Sequence, residues 1–161
     1  MPAPTLELLR HRLGSAAGEP VVSHGVLAFV IDRAALTGAV RQLKSAVGFD
    51  LFLDVTAVDW PQKQPRFEVV YHLYSTEHHV RIRLKTGVPE ADATVDSLTS
   101  LYGSAHFMER ECHEMYGIVF RGNDDLRPIL LYEGFAGHPL RKDYPKQHEQ
   151  PLVRYRETDA G

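Results

Sequence analysis

Apolar positions in the first half of the chain alternate between helical and strand spacing. Leu6, Leu9 and Leu13 share one face of a short helix that Thr5 can cap and Gly14 can end. Residues 25–31, GVLAFVI, are apolar and β-branched enough to form a strand. Asp32 then stands at an N-cap, Leu36, Val40, Leu43 and Val47 follow at helical steps, and Gly48 closes the helix. Three strands come next. In 51–58 the spacing predicts Leu51, Leu53, Val55 and Ala57 on one face. Residues 67–74 alternate less cleanly, whereas VRIRLK over 80–85 puts Val80, Ile82 and Leu84 inward and Arg81, Arg83 and Lys85 outward. The short link from Ser75 to His79 predicts a hairpin between the last two.

Helical spacing returns after Pro89, through Leu98, Leu101, Tyr102, Ala105, Met108, Cys112, Met115 and Tyr116. Gly103 and Ser104 are expected to divide this stretch into two helices, with Ser104 as the second N-cap. Residues 1–117 thus predict an α+β fold: a two-layer domain in which helices cover a mostly antiparallel sheet.

Residues 118–161 follow another pattern. Pro128, Pro139, Pro145, Pro151, Gly122, Gly134 and Gly137 interrupt every periodicity, yet Ile129, Leu130, Leu131, Tyr132, Phe135, Leu140 and Tyr144 keep the segment apolar. A disordered tail is usually poorer in such residues. The expectation is an extended C-terminal segment that docks on a partner, which supplies burial its own domain does not.

Composition narrows the function. Acidic and basic residues nearly balance, 21 against 18, so the basic footprint of a nucleic-acid binder is missing. No run reaches the ~18 apolar residues of a membrane helix. No signal peptide is read at the N-terminus, so the chain is expected to stay in the cytoplasm unless a partner holds it at a membrane. Cys112 is the single cysteine; it can form no internal disulfide and cannot hold an iron–sulfur cluster, which normally takes four thiolates. On an apolar helix face it reads as buried and inert. With no glycine-rich nucleotide fingerprint either, a cofactor held by this chain alone is not expected.

Polar candidates concentrate in two places. Glu109, Arg110, Glu111, His113 and Glu114 lie beside the apolar stripe of the last helix. Glu109, His113 and Glu114 could make the metal site of a stand-alone hydrolase, but the spacing is not H-E-x-x-H and no second ligand cluster exists, so interface charges that fix register are the preferred reading. Downstream, Arg127, Arg141 and Lys142 offer donors while Glu133 and Asp143 offer acceptors; Pro139 and Pro145 stiffen the basic pair. His138, between Gly137 and Pro139, reads as a turn residue more than a catalytic base. Trp60, before Pro61, is expected to cover the end of strand 51–58.

Residues 109–145 read ERECHEMYGIVFRGNDDLRPILLYEGFAGHPLRKDYP. One block is Glu109-Arg110-Glu111, two residues, then Glu114-Met115-Tyr116-Gly117; the other is Gly134 to Pro145, joined by Asp125-Leu126-Arg127 and Ile129-Leu130. This resembles the signature of the 30-kDa subunit family of respiratory complex I, with departures at Asn123, Asp124 and Pro128. The resemblance implies a non-catalytic subunit of the peripheral arm of a proton-translocating NADH-quinone oxidoreductase. In such a complex, electrons pass from NADH through FMN and iron–sulfur clusters in partner subunits to quinone. It implies a peripheral place on the cytoplasmic side of the bacterial inner membrane, contact with the membrane only through the complex, and packing on the 49-kDa-type subunit and its neighbours. Membrane-bound hydrogenases and other dehydrogenases share an equivalent scaffold subunit. The docking set implied is Glu109, Arg110, Glu111, Glu114, Arg127, His138, Pro139, Leu140, Arg141, Lys142, Asp143 and Tyr144.

Overall fold

The structure, a computed structural model, describes residues 4–147; the expected docking segment beyond 147 lies outside the described residues. Helix α1, Leu6–Leu13, starts where the Leu8 amide donates to Thr5 Oγ1 at 3.2 Å and ends at Gly14. A hairpin of β1, Val21–Ser23, and β2, Val26–Val30, follows. Asp32 caps the next turn through the Ala34 amide, and α2, Leu36–Gln42, runs on through a wider π-helical turn to left-handed Gly48. Strands β3 (Leu51–Asp59), β4 (Phe67–Ser75) and β5 (Val80–Val88) complete a five-stranded sheet of order β1-β2-β5-β4-β3. Only the β2–β5 pairing within it is parallel.

The fold class matches the expectation, and three local details differ. A bulge between Phe52 and Asp54 resets the register of β3, so Phe52, Val55 and Ala57 face the core while Leu51 is exposed and Leu53 half-buried. An inserted residue shifts the two-residue alternation by one, which sequence parity does not reveal. The expected first helix around Leu98 is a turn after a short strand, β6 (Thr94–Asp96); Leu98 and Tyr102 are buried, and the Tyr102 hydroxyl donates to the Phe49 carbonyl at 2.6 Å. Helix α3, Ala105–Tyr116, does follow Ser104, but the Ser104 hydroxyl reaches the Phe52 carbonyl at 3.4 Å and makes no cap bond. After Gly117, β7 (Val119–Arg121) pairs in parallel with β6.

Core side chains from every layer form one cluster. Leu9 and Leu13 of α1, Leu36, Val40 and Leu43 around α2, Phe29, Phe52, Tyr71 and Leu84 of the sheet, and Cys112 of α3 all belong to it. Burial of each large apolar side chain is worth ~1.5–3 kcal/mol. Ile118 and Phe120 join the same cluster, so β7 is built into the interior. Beyond Gly122 the described chain forms only turns and bends.

Candidate functional site

The two blocks of the signature meet at the C-terminal end of α3. A helix leaves its last four carbonyls without intrahelical donors. Here each has one. The His113 carbonyl accepts from the Gly117 amide at 2.7 Å, Glu114 from His138 Nδ1 at 2.9 Å, Met115 from the Leu140 amide at 3.2 Å, and Tyr116 from Arg141 Nε at 2.6 Å. Residues 138–141 are therefore the cap of α3, supplied from more than twenty positions downstream. Because a carbonyl only accepts, His138 carries its proton on Nδ1. The Arg141 guanidinium places positive charge at the negative end of the helix dipole and lies 5.1 Å from the Phe67 ring centre. Gly117 makes the closure possible: its φ is +76°, and a Cβ there would come within 2.5 Å of His138 Nε2 and 2.6 Å of Arg141 Nη2.

The flank of α3 holds the segment between the blocks. Both oxygens of Glu114 accept backbone amides, from Leu130 and Leu131, at 2.9 Å each. Arg110 donates to the Arg127 and Pro128 carbonyls at 3.0 Å each. Glu109 has no exposed surface; its carboxylate takes the Leu98 amide and the Ser97 hydroxyl at 2.7 Å and Asn123 Nδ2 at 3.0 Å. Burial pushes its pKa up against the pull of these donors. Glu111 alone of the three glutamates is exposed.

A second tie lies at the end of β3. Asp59 and Arg66, both buried, pair through two bonds of 2.8 and 2.9 Å. Asp59 also accepts the Lys142 amide at 2.8 Å, and Arg66 reaches Asp143 at 2.9 Å and Glu90 at 2.5 Å. The Arg66 hydrogen bonds hold the Asp59 pKa below the usual carboxylate value, and Asp59 raises that of Arg66. Sequence reading missed this pair. A signal existed: Asp59 continues the inward register of Val55 and Ala57, where an unpaired carboxylate would be costly.

These ties leave residues 122–147 as a strap whose backbone is fixed to its own domain and whose apolar side chains partly face out. Leu130 is 63% exposed and Leu140 49%; Ile129 and Tyr132 are exposed as well. Phe135 lies in ring contact with Tyr132 and Tyr144, at 5.5 and 6.1 Å between centres. Arg127 is exposed and pairs with Asp125 at 2.7 Å, whose pKa its hydrogen bonds lower. Lys142 is exposed, Pro139 and Tyr144 half-buried. Glu109, His113 and Glu114 are not brought together. Glu109 points to the β6–α3 link, His113 Nδ1 bonds the Ile118 carbonyl at 2.9 Å, and Glu114 holds the strap; among the described residues no three ligating side chains cluster. Trp60 is 41% exposed, with Lys63 Nζ 3.7 Å from its ring centre.

The motif residues thus brace the chain's own surface segment against α3 and the end of β3. The sequence profile of the respiratory-chain NADH dehydrogenase 30-kDa subunit family matches residues 29–150, and the chain belongs to that family. It is 40% identical over 140 residues to the NADH-quinone oxidoreductase C subunit of Geobacter metallireducens, covering 86% of each chain. It is 44% identical over 124 residues to the protein of the same name from Geobacter sulfurreducens, covering 76% of each. Among solved structures, a trypsin-resistant fragment (1–134) of Nqo5 superposes with a TM-score of 0.67 at 30% identity, over 74% of this chain and 97% of that one. A chain of a membrane-bound sulfane sulfur reductase, an archaeal respiratory membrane complex, gives 0.76 at 26% identity, over 94% and 96%.

Proposed function

We propose that this chain is a non-catalytic structural subunit in the peripheral arm of a proton-translocating NADH-quinone oxidoreductase, and that its strap is the surface that docks. Its named relatives are subunits of that enzyme, and no helix among the described residues is long and apolar enough to cross a membrane. FMN and the iron–sulfur clusters belong to partner subunits. The partners are the 49-kDa-type subunit and its peripheral-arm neighbours, on the cytoplasmic side of the bacterial inner membrane.

The observation that carries the docking role is the division of labour within the strap. Its backbone is already tied to α3 and Asp59, while Ile129, Leu130, Tyr132 and Leu140 stay exposed. A segment ordered before contact loses less conformational entropy on binding. In this reading Glu109, Arg110, Glu114, His138, Arg141 and Asp143 set the pose. Glu111, Arg127, Pro139, Leu140, Lys142 and Tyr144 meet the partner. The test is a Leu130→Asp/Leu140→Asp double variant in the intact complex. The isolated chain should melt as the parent does, while its recovery with the complex and the NADH-quinone activity of membranes fall together. Normal recovery and activity would remove the strap from the interface.

A further inference from the structure

The core cluster occupies one face of the five-stranded sheet. Among the described residues all three α-helices contribute to that cluster, and the other face shows its own pattern. Strand register writes that face as rows: Val21, Ala28, Arg83, His72 and Asp54 across all five strands; then Val30, Lys85, Val70 and Thr56; then Glu68 and Val58; with Arg81 beside Tyr74 at the opposite end. An open antiparallel face is normally polar throughout. Here Ala28 and Val70 are buried yet belong to no part of the core cluster, while Val21 and Val30 are 62% and 56% exposed. Between them lies a cavity of about 250 Å³ lined by Val21, Ala28 and Val30 with Ser23, Glu68, Lys85 and Glu19, the last paired with Arg10.

Charge on this face is unbalanced in a directed way. Lys85 pairs with Glu68 at 2.8 Å. The guanidiniums of Arg81 and Arg83 form no ion pair or hydrogen bond with another described residue, and Arg83 is half-buried. Asp54 is the remaining carboxylate of the rows, so two guanidiniums face one acid. His72, between Arg83 and Asp54, has its pKa lowered by burial first and then by Arg83, which favours its neutral form. Edge strand β1, VVS, also lacks the charge or internal proline that usually blunts a sheet edge.

We infer that this sheet face is a second docking surface, taken by a partner protein that seats an apolar side chain between Val21, Ala28 and Val30 and sets a carboxylate on Arg81 and Arg83. A second copy of this chain fits poorly, because the same excess of arginines would meet itself. The strap borders α3, which packs on the core side of the sheet, so the two surfaces can hold different neighbours at once. The chain would then bridge two subunits.

The buried native thiol Cys112 allows a clean test, since a cysteine placed on the face is the reactive one. Val30→Cys should react with a maleimide freely in the isolated chain and at least roughly ten-fold more slowly in the purified complex, read from the mass of this chain. An Arg81→Glu/Arg83→Glu variant, checked for a parental melting curve, should be retained in the complex roughly ten-fold less at low salt, the gap narrowing as salt is raised. Equal labelling in the free and assembled chain overturns the second surface, whatever the charge variant does. Protection with unchanged retention of the charge variant overturns the acidic partner. Protection of the isolated chain at high concentration, with dimers in sedimentation, overturns it in favour of a second copy. Retained strap docking beside an accessible Val30→Cys would sink this inference while leaving the proposed function intact.

Discussion

The domain through β7 and the strap after it are held by different forces. In the domain, large side chains such as Phe29, Phe52, Tyr71 and Leu84 are fully or nearly fully buried in one cluster, and loss of water contact supplies the stability. The strap buries few large side chains. Its order comes from the carbonyls at the end of α3, the Glu114 carboxylate, the Arg110 guanidinium and the Asp59–Arg66 pair. Apolar burial is tolerant of small shifts; directional hydrogen bonds are not. A surface that must meet a neighbour in one pose therefore gains more from polar ties than from a greasy underside, which would also compete for the apolar side chains the neighbour needs.

The comparison breaks most sharply at the centre of the domain. Phe52 lies 5.4 Å from Tyr102 and 6.4 Å from Tyr71 between ring centres. Phe52→Ala should lower global stability by about 3–5 kcal/mol in urea unfolding, with strap and domain lost together. Gly117→Ala acts at the joint. It combines a positive φ with a Cβ pressed against His138 and Arg141, so a loss of about 2 kcal/mol is expected, along with faster exchange of the Leu140 amide. Were the strap simply draped, only the backbone cost of the positive φ would remain and the Leu140 amide would exchange as in the parent. Glu114→Gln sharpens the distinction further. One of the two amides it holds would face an NH2 group, costing about 1 kcal/mol locally. Hydrogen exchange at Leu130 and Leu131 should rise while the midpoint of global unfolding stays near the parent's.

The smallest effect separates the two regions by its sign against pH. Asp59 has a lowered native pKa, so its contribution is present above the unfolded-chain value and fades as pH falls through the native one. Glu109 has a raised native pKa, so the folded state takes up its proton first and relative stability falls as pH rises through that window. Unfolding series from about pH 2 to about pH 8 on Asp59→Asn and Glu109→Gln check this. The parent's advantage over Asp59→Asn should shrink toward acid, and its advantage over Glu109→Gln should shrink toward alkali. Parallel trends would mean that the two carboxylates do not sit in opposite environments.

Much of the fold was legible in the residue pattern. Strict alternation in VRIRLK became β5 with Ile82 and Leu84 inward, and Thr5, Asp32 and Gly48 stand at the helix ends their residue types suit. The signature over 109–145 pointed to the family. What stayed hidden depended on contacts distant along the chain. The bulge in β3 has no mark in composition. Glu109 and Glu111 look alike in sequence, two positions apart on a helix. Yet one is sealed by Ser97, Leu98 and Asn123, and the other is exposed. Arg141 read as a docking arginine, while its Nε holds the Tyr116 carbonyl of its own helix.

By itself the sequence determined the family and the α+β layering, because apolar periodicity and turn residues are local properties of a chain. The tertiary structure decided which charges are internal. It made 138–141 the cap of α3, joined Asp59 to Arg66 and Lys142, and left the Arg81 and Arg83 guanidiniums without a carboxylate partner among the described residues. A charge has no fixed role until its neighbours in space set its solvent and its partners, and those neighbours are brought together only by folding.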